Sequence, residues 1–230
     1  MLITSHFKLT HNLYLWKYLL PGEILAKSTG AKIDRIVHRE RKVQKILQKE
    51  NLEPKKHKYF IMEIPIEQVP FFIKEFKQKT SETSRLAYNA VNVRQYNAED
   101  PKDNKLFTDI FNLVLLTSPD PYRPITIDEA HSFFKVGTFL AFLYGRCVGY
   151  AVVTIEETEI GKIGVIAGIG VHPKFRRKHV AQKLAMEVAK WFLSRKDLVK
   201  LQCEVYESNL VSQKFISSFG FHIVGELFLD

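Results

Sequence analysis

Apolar positions between Val91 and Leu229 follow two alternating periods. From Thr138 to Val171 the pattern is strand-like. Thr138–Tyr144, Cys147–Glu156 and Lys162–Val171 are apolar-rich runs separated only by Gly-Arg and by ETEIG. Connections that short predict three antiparallel neighbours. After Pro173 the spacing becomes helical, with Val180, Leu184, Val188, Trp191 and Phe192 on one face of a long helix. A strand over Val199–Val205, a helix over Leu210–Phe219 and a last strand over Phe221–Leu229 follow. Upstream, Val91–Tyr96 reads as a short strand and Lys105–Thr117 as an amphipathic helix. The stretch SPDPYRP is a loop, because each of its prolines lacks a backbone donor. Thr126 and Glu129 have the spacing of a capping box and open a helix ending near Gly137. Strands mixed with helices in this way predict an α/β or α+β layered fold.

The polar stretch KQKTSETSR interrupts the apolar pattern, and Ser81–Ser84 within it is the expected linker. It divides the chain into a first part, residues 1–84, and a second, residues 91–230. The 230 residues, 46% hydrophobic and 12% aromatic, suffice for a real core. Cys147 and Cys203 both sit in apolar runs, too few for a disulfide scaffold and wrongly spaced for zinc. No metal site is expected, and the cysteines fit a reducing, cytoplasmic setting. No run approaches the roughly 18–20 apolar residues of a membrane span, and the N-terminus lacks a leader pattern. A soluble protein with no membrane partner is the expectation.

The net charge of +9 is unevenly spread, since Lys27–Lys58 holds eleven Lys or Arg against four Asp or Glu. Ile33, Ile36, Val37, Val43, Ile46 and Leu47 suggest one helical face, with Arg35, Arg39, Arg41, Lys42 and Lys45 around it. Ala26, Gly30 and Ile36 have a spacing that resembles a helix-turn-helix, and KYFIMEI after it reads as a wing. This admits DNA contact through residues 23–58. The other reading is a helical extension that packs on the second part or shapes a substrate groove.

The stretch that carries chemistry is GIGVHPKFRRKHVAQKL, residues 168–184. A strand ends at Val171, a basic turn follows, and a helix begins near His179 or Val180. A helix start presents unpaired N–H groups and the positive end of the helix dipole, which together attract an anion. Arg176, Arg177 and Lys178 add charge, and Ala181 leaves room for close approach. Gly164, Gly168 and Gly170 in the preceding strand permit a bulge or a close-lying ligand.

The run V-H-P-x-x-R-R-K-H-V-A resembles the acetyl-CoA-binding motif of the GNAT superfamily of N-acetyltransferases, Q/R-x-x-G-x-G/A. Arg176, His179 and Ala181 fall on its fixed positions. EVYESNLVSQKFISSFGF is similar to the family's second signature, with Asn209 opening a helix and Gly220-Phe221 closing it. The resemblance extends from Val91 to Leu229 and implies a mixed, mostly antiparallel central sheet flanked by helices. It also implies an acetyl-CoA-dependent N-acetyltransferase in which a primary amine attacks directly, without an acyl-enzyme. Backbone amides of Arg177, Lys178, His179, Val180 and Ala181 would hold the pyrophosphate. Gly170 and Val171 would flank the thioester, whose carbonyl takes a backbone N–H as in an oxyanion hole. Asn209, Ser212 and Phe215 would border the pantetheine. A second class of function remains open: an acyl-CoA-holding regulator whose basic N-terminal region binds nucleic acid or protein.

The resemblance breaks at three places. His179 stands where the family usually has glycine. Ile216 stands where many members carry the tyrosine that protonates the departing thiolate. The sequence ends at Asp230, after one strand where the family usually has two, so Tyr59–Ile66 or a second copy of the chain is expected to cover the open edge. Tyr206 is the replacement candidate for the proton donor. Glu156, Glu157 and Glu204 are the candidate general bases.

Overall fold

The computed structural model describes residues 57–79, 82–121, 124–133 and 137–229. The basic helix-turn-helix reading of residues 23–47, and all but the end of the 23–58 segment read as a DNA contact, lie outside them. Seven strands form one sheet in the order β2-β3-β4-β5-β6-β1-β7. They are β1 (His57–Pro65), β2 (Asn92–Gln95), β3 (Thr138–Leu143), β4 (Arg146–Thr158), β5 (Gly161–Val171), β6 (Leu198–Tyr206) and β7 (His222–Leu229). Every neighbouring pair is antiparallel except β5 and β6. The mixed, mostly antiparallel sheet flanked by helices is therefore what the sequence predicts.

Period-two alternation on β4 explains the layering. Ala151 and Val153 face one side, where helix α5 (Val180–Leu193) buries Val180, Leu184, Val188 and Phe192. Tyr150 and Val152 face the other, against Phe107, Ile110, Phe111 and Val114 of α3 (Pro101–Leu116). Thr126 and Glu129 form the expected capping box, Thr126 N–H to Glu129 Oε2 at 2.7 Å and Glu129 N–H to Thr126 Oγ1 at 3.2 Å. They open α4 (Ile127–Phe133). The first part contributes α1 (Val69–Lys79) and α2 (Glu82–Asn89). Helix α2 covers Glu82–Ser84, which the polar stretch marks as linker. The helix is hidden there because its anchor, Tyr88 beneath the Lys183 ammonium at 4.6 Å, lies beyond that stretch. Helix α6 (Leu210–Ser217) precedes β7.

Strand β1 sits between β6 and β7, with Tyr59 opposite Tyr206 on one side and opposite Leu227 on the other. Met62 and Ile64 point into the α5-side core, and Tyr59 packs with Leu227 and Leu229 on the opposite face. Lys58 pairs with Glu226, and Lys200 with Glu63, both at 2.5 Å. Strand β1, His57–Pro65, thus takes the place beside the last strand expected of Tyr59–Ile66, and β7 is the outer strand of the sheet. No described helix is long and apolar enough to cross a membrane.

Ile64 is 1% exposed. Its truncation to alanine should cost about 2–5 kcal/mol and shift the whole urea transition; an unchanged midpoint would mean that β1 is not part of the cooperative unit. Asp103 takes both Arg94 guanidinium nitrogens at 2.6 Å and lies buried. The bidentate hydrogen bond holds its carboxyl below the usual carboxylate value. A depressed folded pKa stabilises above the unfolded value of about 3.9 and ceases to as pH falls through the folded one. The stability gap between wild type and Asp103→Asn should therefore be full at pH 6 and close as the pH drops below about 4.

Candidate active site

The site begins where two parallel strands part. Strands β5 and β6 pair from Lys162–Leu198 to Ile166–Cys203 and no further. Beyond that point β5 stays bonded to β4, while β6 stays bonded to β1. The register of β5 on β4 slips between Val152 and Val153, which leaves Ala167 as the extra residue of a bulge at the fork. His172 N–H donates to Val148 C=O at 2.9 Å, and Gly170 lies opposite Tyr150. In an antiparallel ladder alternate residues bond to the same neighbour. Ile169 and Val171 therefore turn their N–H and C=O groups into the gap. Gly170 is required by its neighbour: a Cβ there would lie 2.4 Å from the Tyr150 ring.

The chain leaves β5 through His172, whose Nδ1 accepts from Lys174 N–H at 3.1 Å, and a 3-10 turn over Pro173–Phe175. Arg177 and His179 then adopt left-handed backbone, φ 62° and 60°. This explains the family glycine at the His179 position, since that conformation costs other residues about 1–2 kcal/mol. His179 caps α5 without a side-chain bond to the helix N–H groups; its Nδ1 instead donates to Gln182 Oε1 at 2.5 Å. The first turn of α5 borders the cleft, and a helix start carries unpaired N–H groups.

The basic residues of the turn divide. Arg177 and His179 line a cleft of about 870 Å³, together with Gly170, Val171, Val180 and Ala181. Arg176 also borders it, yet its Nη2 donates to Thr117 Oγ1 at 2.8 Å and its Nε to Val171 C=O at 3.4 Å. Lys178 turns away, over the Phe175 ring at 5.8 Å, beside a separate hollow of about 310 Å³. The far wall is α6. Asn209 caps it by accepting from Ser212 N–H at 3.1 Å and donates to Asp120 Oδ2 at 3.0 Å. Ser212, Phe215 and Ile216 face the cleft from the same helix.

Glu204 and Tyr206 reach the cleft from β6, with the Tyr206 hydroxyl hydrogen-bonded to His57 Nδ1 at 3.2 Å. Glu156 and Glu157 are elsewhere, opposite Ile163 and Lys162 at the far end of β4. Cys203 is buried at the fork. Burial pushes the Cys147 thiol up to about 11, which makes it a poor nucleophile at neutral pH. Among the described residues no group of three or more His, Cys, Asp or Glu could hold a metal.

Sequence reasoning missed Thr117, Asp120 and His57. Asp120 is buried and also accepts from Ser118 Oγ at 2.7 Å. No spacing connects a Pro-flanked loop at 120 to a helix cap at 209, so nothing in the sequence pattern could have paired them.

Replacement of His179 by glycine should keep the N–H and relieve the backbone, leaving the melting temperature unchanged or higher. The β-branched His179→Val should lower stability by about 1–2 kcal/mol. Thermal unfolding of both variants reads the difference, and equal melting temperatures would contradict the left-handed turn.

The profile of the Acetyltransferase (GNAT) family matches residues 106–221. A GCN5-related N-acetyltransferase from Sphaerobacter thermophilus is similar in structure, with 17% identity and a TM-score of 0.55 over 85% of this chain and 56% of that one. An acetyltransferase of the GNAT family from Streptococcus pneumoniae is similar with 19% identity and a TM-score of 0.50, over 61% of this chain and 99% of that one. At these identities the likeness is one of fold. No curated protein matches the chain.

Proposed function

We propose that this chain, which belongs to the GNAT acetyltransferase family, transfers an acetyl group from acetyl-CoA, the family's donor, to a primary amine. One observation carries the reading: the fork between β5 and β6 and the left-handed turn before α5 open on the same cleft. Backbone N–H groups from Arg177 to Ala181 hold the pyrophosphate, where they gain from the helix dipole and from Arg177. Arg176 acts on the wall of the cleft through Thr117. The pantetheine lies in the gap along Ile169–Val171, bordered by Asn209, Ser212 and Phe215. The N–H of Val171 polarises the thioester carbonyl.

The amine nitrogen attacks the carbonyl carbon and the carbon–sulfur bond breaks. The amine loses one proton and the departing thiolate gains one, so amide and free thiol are the products. No acyl-enzyme is needed. Cys203 of β6 faces the core, whereas Glu204 and Tyr206 are the titratable groups that β6 turns to the other face of the cleft, and these proton transfers are assigned to them. Ile216 cannot take part, and a thiolate needs less protonation to leave than an alkoxide does.

Ile216 favours a second reading, in which the chain holds an acyl-CoA without turning it over. Calorimetry with CoA, followed by thiol release from acetyl-CoA across a panel of amines, separates the two. Micromolar binding with turnover of at least one amine is expected. Ala181→Glu, which sets a carboxylate at the pyrophosphate, should weaken CoA at least tenfold while the melting curve is kept. Binding without release across the panel would select the second reading, and no binding at millimolar CoA would remove both.

A further inference from the structure

We propose that the cleft also accepts donors with a longer acyl chain, of roughly six to eight carbons, and seats that chain against α1. The inference rests on the donor reading above. The cleft does not end at the fork. It continues beneath α6 and α1, between Val69, Phe72 and Ile73 on one side and Phe215, Ile216 and Phe219 on the other. Phe72, Ile73, Ile216 and Phe219 pack on the main core yet are only partly buried, their remaining surface lining this space.

Helix α1 is fixed in place. Its Phe72 ring lies against Gly220, which has φ 86°, and a Cβ at Gly220 would sit 2.2 Å from that ring. The wall is therefore a built feature of the fold.

Volume and polarity agree. A pantetheine arm with its thioester, about twenty non-hydrogen atoms at roughly 20–30 Å³ each, fills on the order of 500 Å³. The cleft holds about 870 Å³. The pyrophosphate at the turn, about nine atoms, takes roughly 200 Å³ of the difference, and an acetyl methyl with six further methylenes fills about what remains. The charged residues of the cleft lie elsewhere. Arg176, Arg177 and His179 are on the turn, and Asp120 is on the loop after α3. Glu204 alternates with Cys203 and Val205, which face the α5-side core, so its side chain leaves the opposite face of β6. A chain attached at the fork thus enters an apolar pocket on one side of the sheet. The amine approaches on the other, beside Glu204 and Tyr206. Ile216 extends the apolar lining to the thioester end, where a tyrosine hydroxyl would interrupt it. The reaction is unchanged: an amide forms, the carbon–sulfur bond breaks, and the amine proton is matched by one gained at sulfur.

The test is equilibrium binding of free CoA and of acetyl-, butyryl-, hexanoyl- and octanoyl-CoA to the full chain by calorimetry. Affinity should rise about threefold per added methylene as far as hexanoyl. The heat-capacity change should become more negative along the series. Ile73→Trp should remove the gain for hexanoyl-CoA and alter acetyl-CoA affinity less than threefold. Should that variant not fold, the wild-type series and its heat capacity decide alone. Affinity that is flat or falls from acetyl to hexanoyl, with free CoA still bound, overturns the inference and leaves the donor reading standing. Failure of free CoA to bind removes both.

Discussion

A parallel pair of strands that stops pairing partway sets the rest of this structure. Once β5 and β6 part after Ile166 and Cys203, each must find backbone partners on its outer edge, because an unbonded buried strand is costly. Strand β5 has the whole length of β4. Strand β6 has only what the chain can bring beside it, and that is β1, drawn from the far side of the sequence and bonded in turn to β7. The gap is thus kept open by bonds on its outside, and the strand that keeps β6 in place also delivers α1 to the inner wall of the cleft. Architecture and site share one cause.

The basic turn depends on the same gap. Val171 ends β5 with its carbonyl turned into the opening, and the Arg176 guanidinium reaches it while also gripping Thr117 at the end of α3. A residue expected to supply charge to an anion thus also braces the end of β5 against the end of α3 while it borders the cleft. The proposed anion site draws besides on backbone amides, on Arg177, and on a His179 held in a conformation that glycine adopts at no cost. Histidine in that place implies that the turn is held by its surroundings, among them the 2.5 Å bond to Gln182.

Most of the sheet from β3 onward was legible, because its strands are apolar-rich runs between short turns and the buried face of α5 keeps a period of 3.6. The fork was not legible in the pattern, since pairing between β5 and β6 leaves no periodic trace where it ends. Helix α2 was lost because its first turn is wholly polar. Asp120 was lost because its partner Asn209 is remote in sequence. Glu156 illustrates the opposite error. A carboxylate near the end of a strand looked available for catalysis, yet it lies at the end of β4 away from the fork. Sequence position along a strand does not say which end of the sheet carries the ligand.

Ile216 is best understood together with α1. In isolation it is a missing proton donor, a loss for any acyl transfer that needs one. Beside Phe72, Ile73 and Phe219 it is part of a continuous apolar surface. That wall is the surface proposed to seat an alkyl chain. The proton transfers proposed for Glu204 and Tyr206 then fall on the opposite face, near His57 and near Asp120, which Asn209 holds. A cleft divided in this way, apolar behind the proposed thioester position and polar before it, would give the acyl group and the amine separate approaches to one carbonyl carbon.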